Sequence, residues 1–360
     1  REMGKRYIIN VHDFYFNCPI YNQLEHAVGR PCGLAFAGVA QRCLSCLPRY
    51  PSQGIGNDFE SFMQKRHALL QQVLECADAV IVPSQFMYNK IRSAYSLQHQ
   101  SRMRIIPHGT NLNVRQGDVS DDRETVTLAY FGGDQVLKGA ELIVALGVLL
   151  SGEDVEIRVY GRVKAFARPL QPPNVKLCGF YGPDELTSIL AEADLVLVPS
   201  IYEESFSMVV SESWAHGVPV LVSDRGALGE RVRHGLNGWL VKDMTAEAWA
   251  EAVRKWLHGE SLADVRKHLQ TSKNTDSIED CAANYVKVYE EIKSHARAQA
   301  SSSQSLGESA TAFDLELRKF RSRMVDARSP WMQAAINRSG KHARAVGVMR
   351  DRWGTAQYRI

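Results

Sequence analysis

The sequence predicts an α/β protein built from two Rossmann-like, doubly wound domains. Three observations carry this. Short β-rich runs alternate with longer helical patterns through residue 293, the order expected of parallel sheets covered by helices. Several β runs, Leu195–Val198 among them, are continuously apolar, as strands buried on both faces are. A length of 360 residues exceeds one ordinary domain and suits two.

Strands are expected at 7–11, 79–82, 104–106, 126–131, 156–160, 195–198, 218–222 and 239–241. Each is a short Val/Ile/Leu-rich run bounded by turn residues. Helices are expected near 59–76, 86–94, 138–150, 183–193, 207–216, 246–257 and 278–293, where apolar residues recur at helical spacing. Residues 111–123 are polar without a periodic apolar face, so the domain boundary is placed there. Residues 1–112 then form the first domain and 113–293 the second. The first block shows only about three strands, fewer than a doubly wound domain usually has, so its first strands are expected to be missing. Residues 294–312 are Ser/Ala-rich and read as a linker. Residues 313–360 read as a basic helical tail.

Composition narrows the classes. Apolar residues are 45% and charged residues 23%, which excludes wholesale disorder and collagen-like repeats. The longest apolar-dominated run, 140–150, falls short of the roughly 20 residues of a spanning helix. Net charge is +3 overall, yet 311–360 alone carries 11 Lys+Arg against 4 Asp+Glu. The remaining body is mildly acidic, which argues against a nucleic-acid-binding domain. Seven cysteines, an odd count, and no basic-then-apolar leader set the expectation of a cytoplasmic protein. The basic tail leaves room for a peripheral contact with the inner membrane face or a partner. Cys18, Cys32, Cys43 and Cys46 crowd the first fifty residues, and Cys43 and Cys46 have metal-knuckle spacing. No metal is expected; the four remain open as a zinc site beside the reading of buried thiols.

The most informative segment is 193–224. A buried strand ends at Pro199-Ser200, on the sheet edge where open α/β folds bind ligands. A loop carrying Glu204 leads into a helix that Ser205 and Ser207 are placed to cap. The unpaired amides of the helix start, around Ser205, Phe206, Ser207 and Met208, favour an anion. Glu204 and Glu212 lie eight residues apart; helical spacing puts them over one cleft, Glu212 about two turns deeper. Carboxylates take vicinal hydroxyls through charge-assisted hydrogen bonds, so this combination suits a sugar nucleotide.

Pro199-Ser200, Glu204-Ser205-Phe206, Glu212, Ala215, Gly217 and Pro219-Val220 together resemble the E-x7-E signature of the GT-B glycosyltransferases, in particular the large retaining group called family 4. The resemblance extends from about residue 8 to 289. It implies two Rossmann-like domains facing a cleft, and transfer of a sugar from a nucleotide-sugar donor to an acceptor hydroxyl in glycan or polysaccharide biosynthesis. The alternatives are a non-catalytic module of the same fold and a nucleotide-sugar 2-epimerase. By the resemblance, Glu204 contacts hydroxyls of the donor sugar and Glu212 the nucleotide ribose. Lys138 and a preceding Arg hold the donor phosphates, but here Gly133 stands at the Arg position, a departure. Phosphate charge then rests on Lys138, helix amides and Arg162. Phe180, with Tyr181, flanks the base, where Gly179 and Gly182 allow close approach. His12, at the end of the first strand, faces the donor sugar; Asp13 is a helper or cap. No cofactor is expected beyond the donor, no divalent metal is needed, and the partners are the nucleotide sugar and a glycan or lipid-linked acceptor, not nucleic acid. The expected catalytic set is His12, Lys138 and Glu204. No covalent nucleophile is evident, which favours front-face substitution over a two-carboxylate relay.

Overall fold

The structure is a computed structural model, and it describes residues 6–18, 23–25, 30–33, 43, 59–98, 100–111, 125–163, 172–258 and 262–298. Among these, the residues within 4–37 and 70–303 form one compact unit, and residues 43 and 59–69 fall in another. The account below concerns the first unit.

Its first sheet contains β1 (Ile8–Asn10), β4 (Ala79–Val82) and β5 (Met103–Ile105), in the order β1-β4-β5 and all parallel. A two-stranded ribbon, β2 (Leu24–Glu25) with β3 (Arg30–Pro31), lies between β1 and β4 in the chain. Helix α1 (Phe59–Cys76) precedes β4, and α2 (Gln85–Ala94) follows it. β4 is buried along its whole length because both faces are covered. Leu70, Leu74, Met87 and Ile91 pack with Val80 and Val82 on one side. On the other, Ala79 and Ile81 meet Val288 of the last helix, α9 (Ile278–Ala298).

The second sheet has six parallel strands. They are β6 (Val126–Tyr130), β7 (Val155–Tyr160), β8 (Val175–Gly179), β9 (Leu195–Val198), β10 (Val220–Ser223) and β11 (Gly238–Val241), in the order β11-β10-β9-β6-β7-β8. Helices α3 (Ala140–Leu149), α4 (Pro183–Glu192), α5 (Met208–Ala215), α6 (Ala227–Arg231), α7 (Ala246–His258) and α8 (Leu262–Thr271) accompany it. One core runs through this sheet, with Leu128, Ile157, Leu195, Val196, Val220 and Trp249 at its centre. The chain leaves β6 toward β7 and β8 on one side, then returns to place β9, β10 and β11 on the other. The β6–β9 boundary is therefore the topological switch point, where strand ends diverge and leave a crevice.

Three expectations change. The segment 175–179, absent from the expected strands, is an edge strand: only Val175 is buried along it, so it lacks the continuous apolar run of the inner strands. Helix α9 runs to Ala298, past the expected linker start at 294. It also packs on the first sheet, so the second block does not own it. The tail 313–360, most of 111–123, and Cys46 lie outside the described residues. No group of three or more potential metal ligands occurs among the described residues. No helix among the described residues is long and apolar enough to cross a membrane.

Candidate active site

Two loops flank the switch point: 131–139 after β6 and 199–207 after β9. They meet because their backbones approach closely. Gly139 has φ +90°, and a Cβ there would lie 2.2 Å from the Pro199 carbonyl oxygen. Only glycine fits that contact. Beside it, the Ile201 N–H donates to the Leu137 carbonyl at 3.0 Å. This junction sets Lys138 against the second loop.

The result is a compact polar network. Lys138 Nζ donates to Glu204 Oε1 at 2.7 Å and to the Tyr202 hydroxyl at 2.9 Å. Ser200 Oγ donates to Glu204 Oε1 at 2.5 Å, and the Tyr202 hydroxyl donates to Oε2 at 3.1 Å. Glu204 is 4% exposed. Its backbone is fixed as well, since its carbonyl accepts from the Ala227 N–H at 2.9 Å. Burial alone would lower the Lys138 pKa, but the charge of Glu204 and the hydrogen bonds from Glu204 and Tyr202 outweigh it, and the net shift is upward. Lys138 is therefore a cation at neutral pH. Burial, reinforced by Glu204, raises the Tyr202 phenol, so it stays protonated and can donate.

The rest of the loop is tied to the first sheet's elements. Glu203 Oε2 pairs with Lys90 Nζ at 2.7 Å. The Ser205 carbonyl accepts from Ser84 Oγ at 2.8 Å, and Ser205 Oγ donates to the His12 carbonyl at 2.7 Å. The Glu230 carboxylate accepts from the N–H groups of Gln85 and Phe86, at 2.8 and 2.5 Å, which caps α2. The His12 ring lies 5.2 Å from that of His108, which meets Phe206 edge-on at 5.0 Å. His12 itself is exposed.

The other expected residues take distinct places. Gly133 has φ +54°, and a Cβ would fall 2.4 Å from the Arg162 carbonyl oxygen, so no side chain fits where an Arg was expected. Arg162 bonds Asp134 at 2.8 Å, with 62% of its own side chain exposed. Phe180 is 79% exposed. Tyr181 packs edge-on against Phe131 and Tyr160. Its pKa is raised by burial and then by the charge of Glu212, which places Glu212 beside this aromatic cluster. Burial raises Glu212 itself.

Two details of the loop differ from expectation. Helix α5 begins at Met208, and Glu204 is in extended pairing with Gly226, so helical spacing does not relate Glu204 to Glu212. Neither Ser205 nor Ser207 caps α5. Ser205 Oγ is committed to His12, and Ser207, at the cap position, makes no side-chain cap bond and sits at φ +73°. Met208 is 38% exposed at the helix start, while Phe206 is 4% exposed.

Sequence reasoning missed Tyr202 and Ser200 as partners of Glu204. Their position in the same strand-end loop was the available signal. It also missed Arg231, whose guanidinium lies 3.7 Å from the Phe206 ring centroid; a residue that far along the chain leaves no local trace.

Residues 128–275 match the family model described as glycosyl transferases group 1. A D-inositol 3-phosphate glycosyltransferase of Nocardia farcinica is 28% identical over 209 residues, covering 51% of this chain and 46% of that protein. The chain thus spans less than half the length of the curated relatives it matches. Among solved structures, Anabaena HepE in complex with UDP and glucose aligns with a TM-score of 0.53 at 19% identity, covering 64% of this chain and 68% of that one. Sucrose-phosphate synthase from Thermosynechococcus elongatus aligns with a TM-score of 0.53 at 23% identity, covering 64% and 62%. The fold is that of the GT-B glycosyltransferases, and residues 128–275 are similar to the group 1 glycosyl transferases.

Proposed function

We propose that this protein transfers a sugar from a nucleotide-sugar donor to an acceptor hydroxyl, with retention of anomeric configuration, in glycan or polysaccharide assembly. One observation carries the reading: a lysine–glutamate pair at the switch point, 2.7 Å apart and with its carboxylate buried, beside the start of α5. Lys138 and the first amides of α5 take the diphosphate and stabilise the charge that grows on it as the glycosidic bond breaks. Glu204 accepts from donor-sugar hydroxyls, and Glu212 from the ribose. His12 approaches the sugar from the first sheet's edge. The base lies by Phe180 and Tyr181, and Arg162 reinforces the phosphate side. In this reading the positive groups of the chain carry the diphosphate, so a divalent metal is not required. The acceptor is a glycan or lipid-linked hydroxyl. The protein works in the cytoplasm, and its basic 311–360 segment supports a peripheral contact with the inner membrane face.

The test is a thermal-shift screen of UDP, GDP, ADP and their glucose conjugates, with Glu204→Ala and Lys138→Ala alongside. A ligand that binds the native state must raise the melting midpoint. The expected result is a shift with one nucleotide class, lost in both variants. If no nucleotide shifts wild type, or the variants respond as it does, the assignment fails.

A further inference from the structure

We propose that Arg231 is a positioning residue for the donor diphosphate: it holds the turn that opens α5 in the one arrangement that presents N–H groups, not carbonyls, to the ligand. The inference rests on the reading above.

Arg231 ends α6, and its side chain crosses to the 206–211 segment. Its Nη1 donates to the Phe206 and Ser207 carbonyls at 2.7 and 2.8 Å, and its Nη2 to Ser211 Oγ at 2.6 Å. The guanidinium lies over the Phe206 ring at 3.7 Å and 5.2 Å from that of Trp214. One group thus gathers two successive carbonyls and a hydroxyl from the first turn of the helix.

Successive carbonyls of an ordinary extended chain point to opposite sides. For both to reach one nitrogen, the chain must turn sharply between them. Ser207 supplies that turn with φ +73° and ψ 97°, a conformation unusual for any residue but glycine. Such geometry persists only where its surroundings over-determine it, and it gathers at functional sites. Here three hydrogen bonds and an aromatic stack do so. With these carbonyls turned onto Arg231, the oxygens that would repel a phosphate are occupied. The N–H groups that follow have no partner within the helix and remain for the anion.

Charge supports the same assignment. Among the described residues, Arg231 forms no ion pair with a carboxylate, although Glu230 and Asp276 are near enough to act on its charge. Burial pushes its pKa down to about 9, so it is still a cation at neutral pH. A buried cation without a bonded counter-ion is unfavourable, and a diphosphate arriving at the adjacent turn relieves it.

The experiment measures UDP binding by calorimetry to the full chain, together with melting curves, for wild type, Arg231→Met, Arg231→Lys, Ser207→Gly and Arg231→Met/Ser207→Gly. GDP and ADP replace UDP if wild type prefers one of them. The expected result is at least a tenfold loss of affinity in Arg231→Met and a smaller loss in Arg231→Lys, whose ammonium keeps the charge but lacks the planar two-nitrogen fork that holds the carbonyls and the hydroxyl apart. Ser207→Gly removes the backbone strain, so the double variant regains melting temperature relative to Arg231→Met while its affinity stays low. Affinity that recovers together with stability would reduce Arg231 to a structural role and overturn the inference. So would undiminished binding by Arg231→Met. If wild type binds none of the three nucleotides, the donor-site reading itself falls, a result distinct from either.

Discussion

Breaking the Lys138–Glu204 pair has a cost that can be worked from its geometry. The Glu204 side chain is 6% exposed and that of Lys138 33%. At their 2.7 Å separation the gross attraction is about 6 kcal/mol at an effective dielectric of about 20. Desolvation of the buried carboxylate cancels most of it. Lys138→Met leaves that carboxylate with Ser200 and Tyr202 as its remaining donors and should cost about 2–4 kcal/mol of stability. Glu204→Gln keeps an acceptor oxygen for Ser200 and Lys138 and should cost about 1–2 kcal/mol. In the double variant no charge is left buried, so the two losses should fail to add by about 2 kcal/mol. Urea unfolding of the four proteins at pH 7 reads this directly, provided the slope stays constant. pH gives an independent arm. Because the Lys138 pKa is raised in the folded state, its stabilisation is complete below the unfolded value of about 10.5 and fades as pH rises through the folded one. The gap between wild type and Lys138→Met should shrink only there. Losses additive within about 0.5 kcal/mol would mean the pair does not exist in solution, and with it would go the arrangement of the site.

Two further perturbations probe the frame around that pair. Gly133→Ala places a Cβ 2.4 Å from the Arg162 carbonyl oxygen and 2.7 Å from its nitrogen, at φ +54°; the stability loss should be about 2–4 kcal/mol, and a melting curve like that of wild type would show that the 131–139 loop packs otherwise. His108 has its pKa lowered to about 4 by burial, then by His12 and Arg231. The folded state therefore resists protonation that the unfolded state accepts, and stability falls as pH drops from about 6.5 to about 4. With the ring only half-buried, screening holds the effect to about 1–2 kcal/mol. His108→Phe should flatten that part of the profile, and a wild-type profile unchanged by the substitution would remove His108 from the interior.

What could be read in the sequence follows burial. Inner strands such as Leu195–Val198 and Ala79–Val82 are buried at every residue, so their apolar runs mark them from end to end. The edge strand Val175–Gly179 is buried only at Val175 and looks like a loop. The five-residue helix Ala227–Arg231 is too short to show a period. At the site, Lys138 and Glu204 were legible because each closes a strand-to-helix connection, where chemistry is expected. Arg231 was not, because its partners lie in 206–211 and only the packing of α6 against that turn joins them. The same limit applies to Ser207: a positive φ at a serine is imposed by tertiary contacts and has no sequence signal.

Counting valences shows why the pair does not block the site it stabilises. An ammonium has three donors; Lys138 uses two, on Glu204 and Tyr202, leaving one. A carboxylate has about four acceptor positions; Lys138 and Ser200 occupy two on Oε1, and Tyr202 occupies one on Oε2. One position on Oε2 stays open. The network can therefore give one hydrogen bond to a phosphate oxygen and receive one from a sugar hydroxyl without losing any it already has. A ligand then meets two charges already fixed by the Ser200, Tyr202 and Ala227 contacts, so no reorganisation is required of them when it binds. The loop that carries Glu204 is held in turn by Lys90, Ser84 and His12 from the first sheet's elements. Any motion that separates those elements from the second sheet must pull on this loop, and in the proposed function that makes opening of the crevice and release of the donor parts of one movement.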